Sequence, residues 1–177
     1  MIITDEKVLR SMKCVDVLPE EVSELVATLE RELEHSEKLG RKGIGLAAPQ
    51  IGMAKKIAII RIDNNHSVDL INCHIANAYD PAVFIDEGCL SVPDRLEDTM
   101  RFQEVHVVDN LVYPNAFIAT GLMSVVVQHE LEHLDSSLFF DNAVKKEAAL
   151  LIKPAKLRPN DICNCGSNKK AKRCCLA

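Results

Sequence analysis

The sequence predicts an α+β fold in which antiparallel sheets pack around a central helix. An amphipathic helix comes first, several short strands joined by hairpin-like turns follow, and a second long helix comes later. The strands do not alternate with helices, as they would in a parallel sheet built from βαβ units. With 177 residues, the chain has room for one domain and a small appendage.

The first helix is predicted over residues 19–39. Pro19 stands in its first turn, and the two glutamates that follow favour the positive end of a helix dipole. Gly40 suits the position just beyond the helix end. An apolar stripe at helical spacing runs through this segment and comprises Val22, Leu25, Val26, Leu29 and Leu33.

A glycine-rich apolar segment, residues 43–50, comes next. Its glycines allow the backbone to approach a ligand closely, and Pro49 excludes a central strand there. Strands are predicted at 56–62 and 67–72, with a hairpin turn between them. Further strands are predicted at 82–85, 105–109 and 116–120, and a short helix at 143–151.

The second long helix carries the motif His129-Glu130-Leu131-Glu132-His133. Residues four apart share a helix face, so His129 and His133 can bind one metal ion, with Glu130 beside them as a candidate general base. The alternative is a pair of solvated or core histidines with a surface glutamate. The apolar residues that share this face are Leu122, Val125, Val126 and Leu134.

A catalytic metal site of this kind needs a third protein ligand and an open position for water. Cys89 is the candidate, because Gly88 would let the chain bend closely around an ion. A buried core thiol is the alternative for a single cysteine. Thiolate and imidazole donors suit Zn²⁺ or Fe²⁺ better than Mg²⁺ or Ca²⁺. The helix motif alone also allows a metalloprotease of the zincin type.

The segments 43–50, 87–91 and 128–133 resemble the three signature motifs of peptide deformylases, in the order that family shows. The resemblance implies an α+β fold and removal of the N-formyl group from the initiator methionine of nascent chains. It implies Cys89, His129 and His133 as metal ligands. It further implies Glu130 as general base, with the Gln50 side chain and the Leu90 backbone N–H as oxyanion donors.

The same resemblance implies Fe²⁺ as the active ion, with Zn²⁺, Ni²⁺ or Co²⁺ able to occupy the site. We expect an apolar pocket for the methionine side chain, and an extended substrate that pairs as an added strand near Gly88 and the glycine segment. Leu46 and Leu122 are equally well explained as core residues. The substrate-binding candidates are Gly43, Ile44, Gly45, Val125 and Val126.

Three positions depart from the family pattern. Glu132 stands where the family usually has Asp, which lengthens the side chain that could orient a ligand. Ser136 replaces a frequent Gly, which matters if this residue adopts a positive φ. Asn72-Cys73 replaces a common Asn-Pro and can alter a local turn. The residues with direct chemical roles are retained, so we expect an active enzyme.

The last residues form a separate unit, in which Cys163-x-Cys165 is followed after eight residues by Cys174-Cys175. This spacing resembles the zinc-binding motif at the C-terminus of the SecA translocase motor. We expect a catalytic domain at 1–152, a linker at 153–160 and a zinc-binding tail at 161–177. Incidental cysteines in a disordered tail are the alternative. The predicted ligands of a structural Zn²⁺ are Cys163, Cys165, Cys174 and Cys175.

Charge divides the chain in the same place. Residues 153–177 hold seven Lys or Arg against one Asp, whereas the chain as a whole carries a formal net charge of −5. A basic tail on an acidic body indicates a polyanionic partner, and we expect the ribosome. A non-catalytic binding module is the rival interpretation.

The apolar runs are too short to cross a bilayer, and the N-terminus lacks the pattern of a secretory signal. We therefore expect no membrane partner and a cytoplasmic protein whose cysteines stay reduced.

Overall fold

A computed structural model of the protein describes residues 1–109, 115–144 and 170. Within these residues the chain forms three α-helices, six strands and three short 3₁₀ segments. In chain order they are α1 (Glu6–Ser11), a 3₁₀ segment (Pro19–Glu21), α2 (Val22–Lys38), β1 (Gly45–Ala47), a 3₁₀ segment (Ala48–Ile51), β2 (Ile57–Asp63), β3 (His66–Ile71), β4 (Cys73–Cys89), β5 (Val92–Asp109), β6 (Asn115–Thr120), α3 (Gly121–Leu134) and a 3₁₀ segment (Phe139–Asn142).

The strands form two antiparallel sheets of three strands each, in the orders β1-β2-β3 and β4-β5-β6. Helix α3 lies against both sheets and shares one core cluster with them. Ala58 and Ile60 of the first sheet and Val105 of the second meet Val127 of the helix there. This arrangement confirms the predicted α+β fold with antiparallel sheets around a central helix.

Helix α2 covers the outer face of the first sheet. Its buried leucines, Leu25, Leu29 and Leu33, pack against Ile57 and Ile59 of β2 in a second core cluster. The predicted stripe is therefore the buried face of the helix. Each of these side chains removed from water contributes about 1.5–3 kcal/mol, which fixes α2 onto the sheet.

The predicted helix at 19–39 is confirmed, since a 3₁₀ turn leads into α2, and Gly40 follows it with φ +80°. The predicted strands at 56–62 and 67–72 correspond to β2 and β3, and the strand at 116–120 lies within β6. As expected from Pro49, the glycine segment contributes no central strand, because β1 lies at a sheet edge.

Three predictions of secondary structure were wrong or incomplete. The segments 82–85 and 105–109 belong to much longer strands, β4 and β5. Helix α1 was not predicted at all. The short helix predicted at 143–151 does not begin at Ala143, which instead forms an isolated bridge with Thr99, so the chain there is extended along β5. The rest of that segment lies outside the described residues.

In the part of the chain that the structure describes, no helix is long and apolar enough to span a membrane.

Candidate metal centre and active site

One cluster of metal-binding side chains lies where the turn between β4 and β5 meets helix α3. The donor atoms of Cys89, His129 and His133 all lie within 4.8 Å of one another. The Sγ atom of Cys89 is 3.3 Å from Nε2 of His133. Tetrahedral zinc bonds of about 2.0–2.3 Å place neighbouring donors roughly 3.3–3.8 Å apart, so the set can close on one ion.

The orientation of His129 is fixed by Glu87. Nδ1 of His129 donates to Oε1 of Glu87 at 2.6 Å, which leaves its other ring nitrogen available as a ligand. Burial opposes the charge on Glu87, but the hydrogen bonds from His129 and Arg101 outweigh it and lower the pKa of Glu87 to about 2. The carboxylate is therefore ionised and acts as an acceptor at neutral pH.

Burial is the main influence on the charge of His133. Burial lowers the pKa of His133 well below its ordinary value. The ring is therefore neutral, which is the form in which imidazole ligates a metal.

Arg101 connects the residues around the metal cluster. Its side chain is 1% exposed and donates to both oxygens of Glu87, at 2.7 and 2.8 Å. It also donates to both oxygens of Glu132, one of them at 2.9 Å. Asn142 donates to Glu132 as well, at 2.7 Å. The longer arm of Glu132 thus reaches two partners, and one buried cation holds β4 and α3 together.

A distortion of β4 turns Glu87 toward the helix. Asp86 has φ +54°, and the pairing register of β4 with β5 shifts between Phe84 and Glu87. Such a bulge re-aims the side chains that follow it. Ile85 is accordingly exposed, whereas Glu87, two residues further, is buried.

Gln50 is held in one orientation beside Cys89. Its Oε1 accepts the backbone N–H of Ala47 at 2.8 Å. Its Nε2 donates to Oγ of Ser91 at 3.1 Å and lies 3.5 Å from Sγ of Cys89. The amide donor therefore points to the metal cluster, and its side chain is buried.

Glu130 lies between the metal cluster and the glycine segment. Burial raises its pKa to about 7, and its Oε2 atom is buried without a hydrogen-bond partner. A Cβ added at Gly45 would lie 2.3 Å from Oε1 of Glu130, so only glycine leaves room for this carboxylate. The unpartnered oxygen fits a group that receives a proton from a ligand.

These residues line one cavity of about 640 Å³. Gly43, Ile44 and Gly45 form one wall, and the β4–β5 turn forms the facing wall. The floor is α3, with Leu122, Val125, Val126, His129 and Glu130.

Comparison with known proteins shows the family of this chain. Residues 2–149 match the family model of polypeptide deformylases. The chain belongs to that family. Members are metal-dependent hydrolases that remove the N-formyl group from nascent peptides, and a group of one cysteine and two histidines that could hold a metal ion is present here. Residues 160–177 match a second model, that of the SEC-C motif.

Individual deformylases agree with this assignment. The peptide deformylase of Picosynechococcus sp. is 36% identical over 135 residues, which cover 73% of this chain and 71% of that protein. That of Prochlorococcus marinus is 35% identical over 133 residues, covering 72% of this chain and 65% of that protein. The chain thus spans about two thirds of the length of these relatives.

A solved structure supports the fold. The peptide deformylase of Synechococcus elongatus, crystallised in complex with actinonin, superposes with a TM-score of 0.70 at 29% identity. The match covers 86% of this chain and 82% of that chain.

The structure of this deformylase chain brings nearly all the predicted site residues to the same cavity. Leu122 also lines it, whereas Leu46 is fully buried in the core, so the core interpretation is the correct one for Leu46. The predicted residues along the cavity are Gly43, Ile44, Gly45, Gln50, Cys89, Leu90, Val125, Val126, His129 and Glu130. His133 completes the metal cluster. The tail cysteines lie outside the described residues.

The departures from the family pattern have visible consequences. Ser136 adopts φ +61°, the conformation in which Gly would be more comfortable, and its hydroxyl donates to the Met12 carbonyl oxygen. At the third position the replaced residue is Cys73, which begins β4 opposite Asp109. The Asn72 before it, which the family shares, has φ +52° and exchanges two hydrogen bonds with the backbone of Val17. Ser136 and Asn72 therefore attach the N-terminal segment to the rest of the fold.

Sequence reasoning did not assign roles to Glu87, Ser91 and Arg101. Glu87 and Ser91 stand within the quoted motif, two residues on either side of Cys89, and this spacing was an available signal. No signal in the sequence predicted the role of Arg101, because an arginine in a strand usually lies on the solvent face.

Proposed function

We propose that this chain hydrolyses the N-formyl group of the initiator methionine on nascent polypeptides and releases formate. The observation that carries the proposal is the convergence of three metal-binding donors, a buried carboxylate and an oriented amide on one cavity. Cys89, His129 and His133 would hold the ion. When bound, a divalent cation supplies Lewis acidity, which makes hydroxide available near neutral pH and polarises the formyl carbonyl.

Glu130 is proposed as the proton carrier. Its pKa of about 7 and its unpartnered Oε2 suit a group that accepts a proton from water and then delivers it to the departing amine. Gly45 supports this role, because the absence of a side chain there lets Glu130 reach the cavity.

Gln50 and the backbone N–H of Leu90 are proposed as donors to the formyl oxygen as negative charge develops. The Gln50 amide is fixed by Ala47 and Ser91, so it needs no reorganisation when charge appears. Leu90 follows Cys89 directly in the turn and lines the cavity.

The methionine side chain is proposed to contact Ile44, Val125 and Val126 on the apolar side of the cavity, with Leu122 beside them. The extended peptide would run along Gly43 and Gly45, next to the edge strand β1. Backbone pairing there would hold substrates of different sequence in one register.

Iron is proposed as the active ion, with Zn²⁺, Ni²⁺ or Co²⁺ able to replace it. Thiolate and imidazole donors suit all of these ions, so the proposal of iron depends on family membership. Iron-loaded protein should lose activity in air as the ion and Cys89 oxidise.

The division into a catalytic domain at 1–152, a linker at 153–160 and a tail at 161–177 is also proposed. The SEC-C match supports a structural zinc held by Cys163, Cys165, Cys174 and Cys175. We propose that the basic tail binds the ribosome and that the protein works in the cytoplasm. Deleting residues 155–177 should then weaken ribosome co-sedimentation in a salt-dependent way.

The main test is formate release from a formyl-methionyl tripeptide by protein loaded anaerobically with Fe²⁺. The same peptide without the formyl group serves as the control for protease activity. Formate from the first peptide and no cleavage of the second is the expected result. Cleavage of the unformylated peptide without formate release would instead support a zincin-like protease and overturn the proposal.

A further inference from the structure

The cavity has a defined direction. Gly45 abuts Glu130, so this end of the glycine wall is next to the proposed chemistry. Residues 41–45 all line the cavity, and Lys42 precedes Gly45 by three residues in the chain. Three residues of extended chain span about 10 Å, so Lys42 lies at most about that distance from Gly45. A peptide that pairs with this wall would bring its third or fourth residue there.

Two cations stand at that outer end of the wall. Arg41 donates to the backbone carbonyl oxygen of Leu90, a neutral acceptor, so its positive charge is not cancelled. Lys42 is exposed, and no carboxylate among the described residues forms an ion pair with it. Both line the cavity. Among the described residues, this end of the wall therefore carries positive charge that no carboxylate ion pair offsets.

The acidic residues of the cavity do not balance this charge. Glu87 is paired with Arg101 and His129, and Glu130 is buried beside Gly45 at the opposite end of the wall. Asp86 remains, and its exposed carboxylate belongs to the facing strand β4. A substrate that follows the glycine wall therefore meets Lys42 and Arg41 directly.

We propose that Lys42, assisted by Arg41, determines specificity beyond the methionine and favours formyl-methionyl peptides with Asp or Glu at the third or fourth position. This inference depends on the proposed deformylase activity and on the strand-like placement of the substrate. Exposed ion pairs are weak, so the preference for Glu over Lys at the best position should be about two- to fivefold in kcat/KM, falling at high salt.

The test uses C-terminally amidated formyl-Met-Ala-X-Ala and formyl-Met-Ala-Ala-X peptides, where X is Glu, Gln or Lys. Rates of formate release are measured at low ionic strength with the metal-loaded full chain. Rates should fall in the order Glu, Gln, Lys, and Lys42→Gln should shrink the Glu-to-Lys ratio toward one. Lys38→Gln is the matched control, because Lys38 carries the same charge but lies outside the cavity lining, four residues upstream.

Equal rates for the three peptides, or a ratio that Lys42→Gln leaves unchanged, would overturn this inference while deformylase activity stands. A ratio that shrinks equally in Lys38→Gln would also overturn it, since the effect would then come from net charge. Absence of formate from every peptide would overturn the proposed function and this inference together.

Discussion

Oε1 of Glu87 lies 2.6 Å from Nδ1 of His129, a member of the metal cluster. The first residue comes from β4 and the second from α3, so this hydrogen bond fixes a ligand across two elements. The orientation of His129 as a ligand therefore depends on how the β4–β5 hairpin packs on α3.

Glu87→Gln should lower the affinity of the site for its metal about 10- to 100-fold, because the acceptor that orients His129 loses its charge. Competition with a chromogenic chelator measures this without recourse to activity. Glu97→Gln is the matched control. Glu97 lies opposite Glu87 in the backbone register of β4 and β5, but its side chain forms an ion pair with Arg95 at the surface. Equal affinity of the two variants would contradict the orienting role.

Arg101→Met should destabilise the fold by about 3–5 kcal/mol, because it leaves Glu87 and Glu132 without their buried cation. Urea unfolding of the metal-free protein measures the loss. Arg95→Met changes an arginine six residues away whose guanidinium is more exposed, and should cost about 1 kcal/mol or less. A loss of about 1 kcal/mol or less in Arg101→Met as well would contradict the bridging role of Arg101.

Gly45→Ala should reduce turnover about 100-fold with little change in metal content. The added Cβ would lie 2.3 Å from Oε1 of Glu130 and would push the carboxylate out of place. At Gly88 the added Cβ would lie 2.8 Å from the flexible end of the exposed Leu96 side chain and 3.9 Å, an ordinary contact distance, from the Arg95 carbonyl oxygen, so Gly88→Ala should keep most of the activity. Steady-state kinetics together with metal analysis separates the two cases.

Gln50→Ala should lower kcat by about 10²–10³ and leave metal content unchanged, as expected when one oxyanion donor is removed. Metal analysis by atomic absorption and formate assays on the same sample provide the measurement. Loss of the metal would make Gln50 a structural residue instead, since its amide also bonds Ala47 and Ser91.

Acid should weaken the contact of α1 with the segment that follows α3. The hydrogen bonds from Arg10 lower the pKa of Asp141. The pair therefore stabilises the native state fully at pH values above the ordinary Asp pKa of about 3.9. This stabilisation is lost as the pH falls through the lowered pKa of Asp141. The difference in Tm between wild type and Asp141→Asn should therefore be largest at pH 6 and should decrease toward pH 3.

Arg10→Gln should show the same narrowing, and the double variant should add nothing further. A Tm gap that stays constant between pH 6 and pH 3 would contradict this assignment.

The helix α2, the β2–β3 hairpin and the pair His129 and His133 could be predicted because their signals are local. Helical spacing puts both histidines on one face, and Pro19 and Gly40 mark the ends of the first helical segment. The third ligand followed from the resemblance of the segment around Cys89 to a known motif, since spacing alone left a core thiol open.

The long hairpin of β4 and β5 could not be predicted in the same way. Asp80 and Asp86 adopt positive φ within β4, and a proline follows the first of them, so the sequence there is typical of turns. Pairing with β5 keeps the chain extended through both distortions. Helix α1 has only six residues, too few for its local Asp5 cap to predict it, and the Arg10–Asp141 contact that holds it forms only in the folded chain.

The residues of the candidate site come from three different elements, at positions 50, 89 and 129–133. During synthesis the sheets and their hairpin can begin to fold before α3 has left the ribosome, because their strands are close in sequence. The two histidines and Glu130 arrive only with that last helix. The proposed activity on newly made chains therefore cannot begin until nearly all of the proposed catalytic domain has itself been made.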